Sequence, residues 1–178
     1  MSVVGWAPRI VLSISVPWSI IGRFEEPMLP VRRILSPTDF SGPACTCVRA
    51  ASELADHFDA ELLLVNVVPA LPGVPPDPNY VFKIPEYEKY LHAEATERLR
   101  KASEELVSKK VKVRTMVGHG PAAEEIVTIA KAESVDLIVI STHGSTGFER
   151  FVFGSVAEKV VRLAECPVLT VRQRNNSK

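Results

Sequence analysis

The sequence predicts an α/β fold, a single doubly wound parallel sheet with helices on both faces. From residue 31 onward, strand-like and helix-like patterns alternate. Two of the strand candidates are almost wholly apolar, as expected for strands that are covered on both faces. The chain has 178 residues, 46% hydrophobic and 24% charged, which suits one domain with a sizeable core.

The first half of the pattern supplies two strands and the helix between them. Residues 31–35 form a short apolar strand, and residues 61–68 form a longer one. Between these strands, apolar side chains recur at steps of three and four, which is typical of a helix with one buried face. Ser41 is suited to cap the start of this helix, and Pro43 is suited to its first turn.

The second half begins with a proline-rich segment and then resumes the alternation. Residues 69–85 hold six prolines and predict a long loop, either a lid over a ligand or a flexible insert. Helices are predicted over residues 86–109 and 155–164, and another helix has Pro121 in its first turn. Strands are predicted over residues 111–117, 136–140 and 167–171.

The chain ends do not follow the pattern. An apolar stretch near the N-terminus is broken by Pro17, and no small-residue cleavage site of a signal peptide follows it. Met28 lies just before the ordered pattern and is an alternative start. We therefore expect an N-terminal extension over residues 1–30, disordered or not native, a domain over residues 31–172 and a polar tail over residues 173–178.

Charge and cysteine content argue against several classes of protein. Lys plus Arg and Asp plus Glu both number 21, so the electrostatic signature of a nucleic-acid-binding protein is missing. No apolar segment approaches the roughly 20 residues that span a bilayer, so no membrane partner is expected. The three cysteines lack metal-type spacing, which favours small buried thiols in a reducing compartment and hence a cytoplasmic location.

A glycine-rich segment over residues 141–155 follows the fourth predicted strand. Glycine lets the backbone approach a ligand closely, and successive backbone N–H groups can form a concave anion site. Ser155 and Glu158 have the spacing of a capping box, which predicts that Ser155 caps the next helix. Because a helix N-terminus favours phosphate, we predict phosphate binding here. The alternative is an ordinary loop in which Ser155 only caps its own helix.

A second polar segment, Ser-Pro-Thr-Asp, follows the first strand. Thr38 and Asp39 offer a hydroxyl and a carboxylate beside the stiff Pro37. Asp39 is a candidate acceptor for ribose hydroxyls or an exocyclic amine, or a metal ligand, and an Asx-type turn explains it equally well. In doubly wound sheets, ligands bind beyond the carboxyl ends of the strands where the strand order reverses. The two polar segments line one crevice if their strands are neighbours there.

The same segments indicate binding more than fast catalysis. No P-loop lysine motif is present, so the outer phosphates of a nucleotide lack the positive charge that phosphoryl transfer needs, unless a divalent ion supplies it. His143 could contact phosphate or order the loop, and no Ser/His/Asp or Cys/His arrangement can be argued. His119 lies between two glycines and is interpreted as a turn residue near the pocket.

The chain resembles the universal stress protein family over roughly residues 31–172. The resemblance rests on SPTDFS after the first strand. It also rests on HG at residues 143–144, a spacer of nine residues, and the run GSVAEKVVRLAECPVLTVR that begins at Gly154. ATP-binding members carry G-x2-G-x9-G-[ST]. Gly144, Gly154 and Ser155 fill the last three positions, and Ser141 stands where the first glycine is expected. A serine there adds a Cβ where the backbone approaches phosphate, but it keeps an N–H and gains a hydroxyl.

The resemblance implies a Rossmann-like sheet of order 3-2-1-4-5 and an adenine nucleotide ligand, ATP, AMP or ADP, with or without Mg²⁺ or Mn²⁺. It also implies a homodimer formed through the C-terminal strand. The implied contacts to adenine and ribose are Pro37, Thr38, Asp39 and Val67. The implied contacts to the phosphates are Gly144, Gly154, Ser155 and Val156. Ser141, at the first motif position, and His143 are further candidate nucleotide-binding residues.

Three functions follow from the sequence. The first is a nucleotide-binding stress-response protein whose bound state is recognised by a partner. The second is a slow ATPase or self-phosphorylating enzyme, against which the missing lysine and the lack of a clear base argue. The third is a dimeric interaction module without nucleotide, which Ser141 keeps open.

Overall fold

Five parallel strands form one sheet at the centre of this computed structural model, which describes residues 30–69, 84–142 and 154–172. The expectations for the N-terminal extension, most of the proline-rich loop, the middle of the glycine-rich segment and the polar tail lie outside these ranges. In the described part of the chain, no helix combines the length and apolar character needed to cross a membrane.

Strands and helices alternate along the whole described chain. In order they are β1 (Arg33–Pro37), α1 (Gly42–Phe58), β2 (Glu61–Val68), α2 (Ile84–Leu106), β3 (Val113–His119), α3 (Ala122–Ala132), β4 (Leu137–Ser141), α4 (Ser155–Leu163) and β5 (Val168–Val171). The hydrogen-bonded order is β3-β2-β1-β4-β5, and all neighbouring strands are parallel. The predicted fold class and the strand order are confirmed, and the order reverses between β1 and β4.

The core has two layers, one on each face of the sheet. Along β2, Leu62 and Leu64 join the cluster under α1 and α2, whereas Leu63 and Val65 join the cluster under α3 and α4. All four side chains are fully buried. Burial on both faces explains why this strand is a continuous apolar run instead of an alternating one.

Three strands end later than the sequence predicted. β1 ends at Pro37, β3 at His119 and β4 at Ser141, so each continues into residues that carry turn signals. The parallel ladder continues beyond the proline, because the Thr38 N–H donates to the Val65 carbonyl at 2.8 Å. A proline and small polar residues are therefore compatible with the last positions of these strands.

The sequence predicted the start of α1 correctly, but the start of α3 and the end of α2 differ from the prediction. The Ser41 Oγ accepts from the Ala44 N–H, and Pro43 lies in the first turn of α1, as expected. Pro121 is the N-cap residue of α3 and does not lie inside its first turn. α2 ends at Leu106, three residues before the predicted end, since the chain turns where the Val111 N–H donates to the Ser108 carbonyl.

Cys47, which is buried, and Cys166, which is half-buried, behave as inert thiols packed against the core. The Cys47 Sγ contacts the Val139 carbonyl of β4 at 3.4 Å, and burial raises the pKa of this thiol to about 12. Burial likewise raises the pKa of the Cys166 thiol to about 11. Such thiols stay protonated at neutral pH and are poor nucleophiles and metal ligands.

An ion cluster lies at the amino ends of the first three strands. The Glu61 side chain is only 11% exposed and is surrounded by Lys112 at 2.8 Å, Arg33 at 3.1 Å and Arg114 at 3.4 Å. Arg114 also pairs with Glu133 at 2.5 Å. The Lys112 ammonium beside Glu61 is the main cause that lowers the pKa of the Glu61 carboxyl, and the nearby arginines add to it. The Glu61 carboxylate of β2 therefore links cationic side chains at the amino ends of β1 and β3.

Candidate functional site

A cavity of about 290 Å³ opens at the carboxyl edge of the sheet, where the strand order reverses between β1 and β4. Eight of the ten predicted site residues line it: Pro37, Thr38, Asp39, Val67, Ser141, Gly154, Ser155 and Val156. The remaining two, His143 and Gly144, lie outside the described residues. The fold thus brings the two polar segments together at one crevice.

The end of β1 supplies a rigid polar wall. Thr38 is 5% exposed, and its Oγ1 accepts from the Phe40 N–H at 3.0 Å. The Asp39 Oδ1 accepts from the Ser41 N–H at 3.0 Å and from the Ser41 hydroxyl at 2.5 Å. The Asx-type turn that the sequence left open is therefore formed. It holds the exposed carboxylate of Asp39 at the wall of the cavity.

The start of α4 differs from the prediction. The N-cap residue is Gly154, with φ −71° and ψ 152°, and Ser155 is already the first residue of the helix. The capping box of Ser155 and Glu158 is therefore wrong. The Gly154 N–H donates to the Thr142 carbonyl at 2.7 Å, and this bond fixes the backbone so that the helix begins one residue early.

This helix start leaves donors at the cavity. Gly154 has no side chain that could accept a hydrogen bond, and no side chain of the residues that the structure describes caps the helix. The first N–H groups of a helix lack intrahelical acceptors, and the helix dipole adds partial positive charge there. Ser155, Val156 and Ala157 of this first turn all line the cavity. The arrangement can bind an anion without a cationic side chain.

Space, and not backbone conformation, explains the glycine at position 154. Its φ is one that any residue adopts. A Cβ at this position would lie 3.2 Å from the backbone carbonyl oxygen of Thr142, which is tighter than an ordinary contact. The glycine therefore lets α4 start close to the end of β4, which brings the helix N-terminus to the cavity.

Sequence reasoning missed part of the lining. Asn66 lines the cavity, and its Nδ2 donates to the Thr38 carbonyl at 2.7 Å. The available signal was a single polar residue inside the apolar run of β2. Thr142 lies in the predicted glycine-rich segment but was not singled out. The other missed residues resemble core positions in the sequence, and they are Ala44, Val65, Ala122, Ile126, Ile140 and Ala157.

The cavity combines an apolar body with few polar groups. Val65, Ile126 and Ile140 contribute apolar surface, and Asp39 contributes a carboxylate. No lysine or arginine lines the described part of the wall. Such a site can hold a flat apolar ring system beside an anionic group, but it offers no dense positive charge for group transfer.

Comparison with known proteins gives concordant results. A universal stress protein of Methanocaldococcus jannaschii is 38% identical over 144 residues, which cover 80% of this chain and 82% of the relative. The solved structure of the universal stress protein UspA from Lactobacillus plantarum superimposes with a TM-score of 0.69 at 25% identity, covering 80% of this chain and 98% of that chain.

Two further solved structures share the fold at 21% identity. One is a universal stress protein in complex with cAMP, with a TM-score of 0.53, covering 81% of this chain and 98% of that chain. The other is a universal stress protein from Archaeoglobus fulgidus in complex with dAMP, with a TM-score of 0.50, covering 80% and 98%. Residues 30–172 match the family model described as the universal stress protein family, and the chain belongs to that family.

Proposed function

We propose that this protein binds an adenine nucleotide in the cavity and acts in the stress response through a partner that recognises the bound state. The observation that carries the proposal is the first turn of α4, which no described side chain caps and which lines the cavity beside the polar end of β1. Anions bind at such helix starts through backbone N–H groups.

The phosphate is assigned to the Gly154–Ser155 turn, with Val156 as its neighbour. The glycine lets the start of α4 lie close to the Thr142 carbonyl at the end of β4, and the N–H groups of the turn would supply donors to the phosphate. Ser141 lines the cavity at the end of β4 and adds a hydroxyl. In this proposal His143 and Gly144 complete the phosphate contacts.

The nucleoside is assigned to the other half of the cavity. An adenine ring would pack against Val67 and the apolar wall, and the Asp39 carboxylate would accept from ribose hydroxyls or an exocyclic amine. Pro37 and Thr38 would hold this side in place, since Thr38 is buried and hydrogen-bonded at its backbone and side chain. The two fold relatives that were solved in complex with cAMP and dAMP support an adenine mononucleotide as the ligand in this proposal.

For ATP, a divalent ion would supply what the side chains lack. Because no cation lines the described wall, Mg²⁺ or Mn²⁺ would neutralise the outer phosphates, with water in most of its coordination shell. The same shortage of fixed positive charge predicts at most slow hydrolysis. We therefore propose a binding protein instead of a fast ATPase. A cytoplasmic location is also part of the proposal.

A homodimer through β5 is part of the proposal. β5 lies at the edge of the sheet and pairs only with β4 among the described strands. Native proteins usually cover an edge strand, since its outer N–H and C=O groups otherwise pair with other chains. Sedimentation velocity should show a dimer at micromolar concentration, and a monomer over the whole accessible range would remove this part.

The test of nucleotide binding uses a matched pair of glycine variants. Gly154→Val places a branched side chain against the Thr142 carbonyl, whereas Gly42→Val at the first residue of α1 meets open space. Isothermal titration calorimetry with ATP plus Mg²⁺, with AMP and with adenosine compares both variants with the wild type.

We expect Gly154→Val to lose about tenfold or more in affinity for ATP and AMP, because the clash with the Thr142 carbonyl displaces the start of α4 and its N–H donors to the charged phosphate. Adenosine should be less affected, and Gly42→Val should bind like the wild type. Circular dichroism confirms that both variants are folded. Unchanged nucleotide affinity of Gly154→Val would remove the assigned phosphate site. A wild type that binds no adenine nucleotide at millimolar concentration would overturn the proposed function.

A further inference from the structure

Two histidines face each other at the surface, outside the cavity lining. His92 lies on α2, and His119 is the last residue of β3. The His92 Nδ1 lies 3.1 Å from the His119 Nε2. The ring planes differ by only 13°, and the ring centroids are 5.2 Å apart. A centroid distance so much larger than the nitrogen distance means that the rings meet edge to edge, with one N–H donating to the other ring.

We propose that His92 and His119 form a binding site for a divalent transition-metal ion of the kind that imidazole prefers, Zn²⁺, Ni²⁺ or Cu²⁺. Metal–nitrogen bonds of about 2.0–2.1 Å to two nitrogens 3.1 Å apart give a nitrogen–metal–nitrogen angle of about 100°. This value lies between about 90° for square-planar and about 109° for tetrahedral coordination. The two ring nitrogens therefore already lie at a separation that chelation allows.

Only the rings must reorient. In the hydrogen-bonded pair the two nitrogens point at each other, and for chelation both lone pairs must converge on one metal ion. Both side chains are exposed, so the rings can turn without leaving a packed core. The shared proton moves from the donor nitrogen to the outward nitrogen of the same ring. Each imidazole then stays neutral and offers one lone pair.

The fold holds the two ligands on separate, anchored elements. His119 pairs with Val68 across the β2–β3 ladder, and the Gly120 N–H donates to the Val68 carbonyl at 2.9 Å. On α2 the Thr96 hydroxyl donates to the His92 carbonyl at 2.8 Å. A metal ion would therefore link α2 to the sheet, one residue along the ladder from Val67 of the cavity lining.

The coordination is incomplete, which fits exchangeable binding. In the described part of the chain, no group of three or more His, Cys, Asp or Glu side chains is arranged to hold a metal ion. Two imidazoles leave positions for water, unlike a closed structural zinc site with four protein ligands. The site is independent of the proposed nucleotide function, and either can fail without the other.

The experiment titrates Zn²⁺ into nucleotide-free, full-length protein near neutral pH in a buffer that does not bind metals. Isothermal titration calorimetry and thermal unfolding compare the wild type with His92→Gln and His119→Gln. His57→Gln is the matched control, because His57 is also exposed but its ring contacts only Phe58 among aromatic residues of the described chain. Cu²⁺ electron paramagnetic resonance counts the coordinating nitrogens.

We expect the wild type and His57→Gln to bind Zn²⁺ and to unfold at a higher temperature with it. Each of the other two variants should lose at least about tenfold in affinity and lose the thermal shift. The Cu²⁺ spectrum of the wild type should show coupling to two imidazole nitrogens, and the spectrum of each variant should show coupling to one. No Zn²⁺ binding by the wild type, unchanged affinity of His92→Gln and His119→Gln, or a single coupled nitrogen would each overturn the proposal.

Discussion

At Gly154, the residue before α4, the surrounding backbone leaves little room for a side chain. The Gly154 N–H donates to the Thr142 carbonyl, and the same oxygen would lie 3.2 Å from an added Cβ. The sequence singled out this glycine for the approach of a phosphate, and the structure adds the protein's own carbonyl as a second reason. The sequence could not reveal Thr142 as the neighbour, because the contact joins the end of β4 to the start of α4 across the intervening residues, and local sequence patterns do not specify such a pairing.

Asp39 offers a test that separates its structural role from its charge. Asp39→Asn keeps a side-chain oxygen for the Ser41 N–H, so the free energy of unfolding should change by no more than about 0.5 kcal/mol. Asp39→Ala removes that acceptor and should cost about 1 kcal/mol. Urea denaturation measures both values. Equal destabilisation by the two variants would show that the turn does not depend on the side-chain oxygen.

The same pair of variants tests the assignment of Asp39 to the nucleoside. Both variants should weaken adenosine binding, because both remove the negative charge that accepts from ribose hydroxyls or an exocyclic amine. Inorganic phosphate should be affected less, as it would bind at the Gly154–Ser155 turn through backbone N–H groups. Titration calorimetry with the two ligands checks this, and an equal loss for both would exclude the assigned role.

At the scale of elements, apolar runs were predicted more reliably than strand and helix ends. β2 begins and ends as predicted because it is buried on both faces, so the whole run is apolar. β1 and β3 continue into Pro37 and into Gly118 and His119, where local residue preferences suggest a turn. The neighbouring parallel strands extend the ladder there. Such pairing is non-local, so local preferences could not predict it.

α4 is held by a narrow apolar stripe, which gives a direct prediction. Val160 is fully buried in the cluster on its face of the sheet, whereas Leu163 of the same helix is 46% exposed. Val160→Ala should lower the free energy of unfolding by about 2 kcal/mol through lost burial and a small cavity. Leu163→Ala is the control and should change it by no more than about 0.5 kcal/mol. Equal effects in urea denaturation would contradict this packing.

At the scale of the whole molecule, the sheet separates two chemically different ends. The carboxyl ends of the strands carry the cavity, and the amino ends carry the ion cluster around Glu61. The alternation of elements predicted a parallel sheet but not the order of its strands, which came from the family resemblance. Strand order is set by pairing between distant segments, and local sequence patterns do not encode it.

The ion cluster predicts how stability depends on pH. The folded protein lowers the pKa of Glu61, so this carboxylate stabilises the fold fully above the ordinary carboxyl pKa. The contribution is lost as the pH falls through that value and then through the lower pKa of the folded state. Glu61→Gln should therefore cost about 1–2 kcal/mol near neutral pH, and the difference from the wild type should shrink between about pH 5 and about pH 3.

Glu165→Gln is the matched control, because Glu165 is 65% exposed and pairs only with Lys131 among the described residues. A surface pair of this kind contributes no more than about 1 kcal/mol. Urea denaturation at a series of pH values compares the three proteins. A difference between wild type and Glu61→Gln that does not change with pH would show that the carboxylate charge is not the stabilising feature.

The position of Glu61 also bears on adaptation to heat. The free-energy cost of removing charged groups from water falls as temperature rises, so networks of ion pairs gain relative importance in warm environments. Here such a network joins Arg33, Glu61, Arg114 and Glu133 at the end of the sheet opposite the cavity. Substitutions that strengthen or weaken it can shift the temperature range of the protein while every residue that lines the cavity stays the same.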